Sequence, residues 1–196
     1  DFFNELIGTQ CLREMRYADA LKYFGKIPSS FQYRLNTYKD GYMKNDPFSW
    51  HAISLISNNT DYKYNFARDM YSLEQSINRT KEPNRKAQLQ IRYAIGLENS
   101  INRCWALTQY YRGEFFWGLG HVTNLDWTKR TSWKQANAKS ERLIKESLAM
   151  FTDKECAAYT YWLLGNNTKI MSDYPDTNIG EYVRSRCDNL GDYTVR

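Results

Sequence analysis

A chain of 196 residues can bury a sizeable core without disulfide or metal staples. Its 10 Gly and 4 Pro are too few to punctuate a fold of many short strands and tight turns. The net charge of +5 is spread evenly, 14 basic against 11 acidic residues in 1–100 and 13 against 11 in 101–196, which argues against the basic stripe of a nucleic-acid-binding domain.

In chain order, the first helical signal is a pair. Ile7 and Gly8 supply a bulky and a small residue in a first helix, and "REMRYADALKYFGKIPSS", residues 13–30, supplies Tyr17, Ala20 and Phe24 in a second, closed by Pro28. Residues 28–61 are irregular: Phe31, Tyr33 and Leu35 alternate with polar neighbours, as in an extended segment, before Gly41 and "NDPFSW". A strongly amphipathic helix follows over 62–79, with Tyr62, Phe66, Met70, Leu73 and Ile77 on one stripe and Asp61 placed to cap it.

Pro83 suits the first turn of the next helix, where its missing N–H has no partner to lose. That helix is expected to reach about Tyr111. It carries two apolar stripes, Leu89, Tyr93, Leu97, Cys104 and Leu107 on one side and Ala87, Ile91, Ala94, Ile101 and Trp105 on the other. A helix apolar on both sides is sandwiched between neighbours, so it belongs at the centre of the fold. Residues 112–131 then hold three glycines among Phe115, Phe116, Trp117 and Trp127, a long irregular insert of the kind that usually carries function.

From about Ser132 to Phe151 the stripe is Trp133, Ala136, Ser140, Leu143, Ile144, Ser147 and Phe151, with Lys134, Arg142 and Lys145 on the opposite face. In "TDKE" the spacing of Thr152 and Glu155 predicts a capping box for a helix over 153–164. Gly165 and Asn166 make a turn, 167–174 return as a helix, and Pro175 stops it. Thr177 or Asn178 caps a last helix to about Asp188, with Ile179, Tyr182, Val183 and Cys187 on its inner side.

The order of small, bulky and breaking residues in the first pair resembles the tetratricopeptide repeat, which crosses two helices over such positions. Cys11 stands where that pattern prefers an aromatic residue, and Pro28 comes about a turn early. A second match, "AAYTYWLLGNNTKIMSDYPDT" at residues 157–177, is similar to tetratricopeptide units of Gram-negative cell-envelope proteins that close on Tyr-Pro, with Asn167 and Ile170 in place of the usual Tyr and Ala. The resemblance implies a short all-α solenoid of about seven or eight helices. It comprises one helical-repeat domain over 1–196, with antiparallel hairpins at about 1–27, 62–111, 132–164 and 167–188. It also implies a scaffold and a cell-envelope location, periplasmic or outer-membrane-associated, with any signal segment removed before Asp1.

No phosphate loop, HExxH or GxSxG signature is present, and neither His51 nor His121 lies near a nucleophile in a familiar spacing, so no enzyme activity is expected. Cys11, Cys104, Cys156 and Cys187 lack metal-ligand spacing, and neither a metal nor any other cofactor is expected. They read as free thiols on apolar stripes, with a Cys156–Cys187 bridge left open. No window approaches the ~20 apolar residues of a membrane span.

The candidate binding residues lie in the aromatic insert: Tyr110, Tyr111, Arg112, Glu114, Phe116, Trp117 and Trp127. Rings and polar handles of this kind suit a partner's side chains or a sugar, and the competing reading is that they plug the end of the array. Lys129, Arg130, Lys134, Arg142 and Lys145 read as a solvated face. The expectation is a non-enzymatic protein- or peptide-binding scaffold; the alternative is a carbohydrate-binding or carbohydrate-active protein with Glu114 and Asp126 as its carboxylates.

Overall fold

The computed structural model describes residues 1–28, 46–48, 62–102 and 131–186. Among the described residues all regular structure is helical: α1 (Phe2–Arg13), α2 (Tyr17–Phe24), α3 (Tyr62–Arg79), α4 (Pro83–Asn102), α5 (Thr131–Met150), α6 (Lys154–Leu163), α7 (Asn167–Asp173) and α8 (Asn178–Arg186).

Each boundary has a local cause. Pro83 opens α4 as expected, and Glu82 caps it, its two carboxylate oxygens accepting from the backbone N–H groups of Asn84 at 2.8 Å and Arg85 at 2.5 Å. A different residue from the one expected caps α6. The Asp153 side chain accepts from Glu155 N at 2.9 Å. Thr152 instead bonds Asn84 on α4, and Glu155 accepts from Asn178 N at 2.7 Å, so no capping box forms. Asp wins because its short carboxylate adjoins the helix start, which frees Thr152 and Glu155 for contacts between helices. Asn166 caps α7 through Lys169 N at 3.0 Å, and Thr177 caps α8 through Gly180 N at 3.0 Å.

The first pair packs at one close point. A Cβ on Gly8 would lie 2.5 Å from the Phe24 ring, so only glycine lets α2 seat Phe24 against α1. Tyr17, Ala20 and Phe24 are all buried. Ile7, expected to pack beside Gly8, faces outward and is 42% exposed, while its helix turns Glu5, Gly8, Thr9, Cys11 and Leu12 inward.

Packing then proceeds from α2 to α3, α3 to α4 and, most extensively, α4 to α5. The resulting core joins Cys11 and Leu12 of α1 to Tyr17 and Phe24 of α2, Phe66 and Met70 of α3, Tyr93 and Leu97 of α4, and Ala136 and Leu143 of α5. Each large apolar side chain so buried contributes roughly 1.5–3 kcal/mol. Phe48, from the expected irregular segment, joins this core and stacks on Phe66 at 5.9 Å.

Over the described residues α4 is two-sided: Tyr93 and Leu97 on one stripe and Ala87, Ile91 and Ala94 on the other are buried, and the helix touches α3, α5 and α6, while Cys104, Trp105, Leu107 and the expected run to Tyr111 lie outside the described residues. Along α5, Ala136, Ser140 and Ser147 are fully buried. Ser140 donates to the Ala94 carbonyl at 3.0 Å, and Ser147 to Gln90 Oε1 at 3.2 Å. Small residues with satisfied hydroxyls bring the two backbones close without stranding a polar group.

The last three helices pack on one another, with Ala157, Ala158, Ile170 and Val183 buried, and none of their residues enters the main core. Tyr182 departs from its expected inner position: it is 39% exposed, its ring meeting Trp162 edge-on at 6.3 Å and lying under Arg186. The Gly165 turn has φ +69°.

Candidate functional site: a cleft between α3, α4 and α6

Where the C-terminal trio meets α4, contact is sparse and polar. Asn84 bonds Thr152, and Gln88 Nε2 donates to Cys156 Sγ at 3.0 Å. Beyond these contacts the helices part and leave a cleft of about 620 Å³.

Three helix faces and one turn line it. Asp69, Ser72 and Leu73 stand on one face of α3; Arg85, Gln88, Leu89 and Arg92 follow the i, i+3, i+4, i+7 face of α4, with Ile91 beside them. From α6 come Tyr159, Thr160, Trp162 and Leu163, and from the turn Asp46 and Phe48. Leucines and isoleucine therefore alternate with charge at the rim, in a volume within the usual range of ligand sites.

The rings of the cleft are mostly engaged with one another. Tyr159 and Trp162 stack at 5.6 Å, and Trp162 also meets Tyr182. One side of Phe48 stacks on Phe66, and Arg92 lies 5.0 Å from its ring centroid. Both carboxylates are engaged as well: Asp46 Oδ1 accepts from Phe48 N at 2.9 Å, and Asp69 pairs with Arg68 at 2.9 Å. Neither Arg85 nor Arg92 has a carboxylate partner among the described residues; Arg85 Nη1 donates only weakly to Gln88 Oε1, at 3.4 Å.

Cys156, at the edge of this junction, is a free thiol. Burial, and then the Asp153 carboxylate to which it donates at 3.2 Å, push it above the ordinary thiol range and keep it protonated. Cys11 is likewise free and pushed up by burial, with Arg16 opposing. Among the described residues no three His, Cys, Asp or Glu side chains gather as metal ligands, and no helix is long and apolar enough to cross a membrane.

Tyr110, Tyr111, Arg112, Glu114, Phe116, Trp117 and Trp127 lie outside the described residues, as do His51, His121, Cys104, Asp126, Lys129, Arg130 and Cys187. Lys134, Arg142 and Lys145 are exposed on α5, as a solvated face should be. Sequence reasoning passed over the cleft because Tyr159 and Trp162 sit inside a segment read as repeat packing. The available signal was the mixed face of α4, where Arg85 and Arg92 interrupt a helix otherwise apolar on both sides. No protein-family model, curated protein or solved structure matches the chain.

Proposed function

We propose that the chain is a non-enzymatic scaffold of the cell envelope, built from degenerate tetratricopeptide-like hairpins, that binds a protein or peptide segment in the cleft between α3, α4 and α6. The observation that carries this reading is the cleft itself: an aliphatic floor of Leu73, Leu89 and Leu163 with polar groups around its rim, the composition expected of a surface that takes side chains. The Gly8–Phe24 contact in the first pair supports the repeat reading, since a tetratricopeptide unit crosses its helices over such a small residue.

A sugar site fits these residues less well. Sugar recognition by rings uses open faces, whereas Phe48 and Trp162 turn theirs to neighbouring side chains.

Photocrosslinking tests the proposal. Benzoylphenylalanine at Ser72, in the cleft, should yield polypeptide adducts from envelope extract that are absent when it replaces Lys145 on α5. Equal labelling at both positions, or none at Ser72, would remove the cleft as the binding surface.

A further inference from the structure

We infer that the segment taken by the cleft is acidic and extended, with two carboxylates held by Arg85 and Arg92. This rests on the peptide-binding reading above and names the class of peptide.

The first ground is charge. Four charged side chains line the cleft, and the two negative ones are already used, Asp46 by the backbone N–H of Phe48 and Asp69 by Arg68. The two positive ones have no carboxylate among the described residues. A guanidinium offers a planar fork of donors matched to a carboxylate, so an arginine pair left in this state at the rim of an apolar cleft selects for anionic groups.

The second ground is spacing. Arg85 and Arg92 are seven residues apart on α4, hence on one face and about 10 Å apart along the helix axis. In a polyproline II segment, residues i and i+3 share a face and stand about 9 Å apart. Two acidic residues three apart would therefore reach both arginines at once. The intervening residues would lie against Leu89 and Leu163.

Fluorescence anisotropy with labelled, end-blocked synthetic peptides gives the test. The probe is a ten-residue Pro- and Leu-containing peptide with Glu at positions i and i+3; its counterparts carry Gln, or Lys, at both. The Glu peptide should bind about tenfold or more tightly than the Gln peptide, as expected for two charge-assisted contacts. R85E/R92E, and the milder R85Q/R92Q with its melting curve checked, should abolish that preference. R142E/K145E, on the exposed face of α5, should leave it intact.

Equal binding of the Glu and Gln peptides, both displaced by a bulky substitution at Ser72, would overturn the acidic assignment and leave the peptide-binding reading standing. No peptide bound at all, with an acidic oligogalacturonate captured instead, would overturn both. Loss of the preference in R142E/K145E would show attraction to overall charge and would overturn the arginine pair as its source.

Discussion

Both ends of the chain carry a repeat-like pattern in sequence, yet they join the rest of the molecule by opposite means. At the N-terminal end, α1 and α2 add Cys11, Leu12, Tyr17, Ala20 and Phe24 to the main core. They are also tied to α3 by a buried ion pair: Lys63 Nζ donates to Glu5 Oε1 and, at 2.8 Å, to Thr9 Oγ1, and Thr9 donates to the same Glu5 oxygen at 3.1 Å. Glu5 is fully buried and Lys63 is 7% exposed. The C-terminal trio contributes no residue to that core, and its side-chain hydrogen bonds to α4 run through amides, a hydroxyl and a thiol. Apolar side chains close a junction because any gap forfeits contact, whereas polar groups that pair at one edge let the helices part beyond it. The cleft lies at the polar junction.

The largest expected effect probes the N-terminal joint. Lys63→Met leaves the Glu5 carboxylate buried without its cation and should cost about 3–5 kcal/mol in a urea titration. Glu5→Leu with Lys63→Met should recover most of that loss, because among the described residues Glu5 Oε2 finds no hydrogen-bond partner, and an apolar pair of similar volume leaves no charge buried. If the single variant melts like the wild type, the joint is not ionic in the way described.

Next in size are two glycines that separate the ends. Gly8→Ala pushes a methyl into the Phe24 ring and should lower global stability by about 1–3 kcal/mol, with Phe24→Leu in the same chain relieving part of it. At Gly180 a Cβ would run into the Tyr174 carbonyl, backbone that cannot rotate away. Its damage should stay local, seen as faster amide exchange in α7 and α8 with α3 to α5 protected as before.

A smaller effect is expected at the polar junction. Asn84→Ala removes the bonds to Thr152 and should cost about 0.5–1.5 kcal/mol. The diagnostic readout is selective opening of α6 in hydrogen exchange, and a uniform loss across all helices would contradict the separation of the two ends.

The smallest effect is a pH dependence at the α4–α5 contact. Burial pushes the Glu98 carboxyl above its ordinary value of 4.5, with the Ser140 hydroxyl opposing. The folded state therefore holds the proton to higher pH than the unfolded chain, and this contribution to stability is present at acid pH and lost as pH rises through the raised value. Glu98→Gln should flatten the melting temperature across that window. An unchanged slope would place the titration elsewhere.

Much of the helical framework was legible because it depends on neighbours in the chain. The 62–79 stripe, Pro83 at the start of α4, the two-sided apolar pattern of that helix and the buried serines of α5 all follow from helical periodicity. Those signals live within a turn or two of sequence, where the physics is local. The cleft was not legible, since its residues come from three helices and a turn, and each looks like packing when read within its own segment. The Thr152–Glu155 reading failed for the same reason: Asn84 and Asn178, far along the chain, took the partners that a local pattern assigned to each other.

By itself, then, the sequence determined a mostly helical framework, a central two-faced helix and a first helical pair packed through Gly8 on one helix and Tyr17, Ala20 and Phe24 on the other. Only the tertiary structure decided that Glu5 would be buried and Ile7 exposed, that Phe48 would enter the core, and that Arg85 and Arg92 would face an open cleft. Periodicity says which residues share a helix face; which neighbour covers that face, and whether the cover is complete, is set by packing between segments distant in the chain.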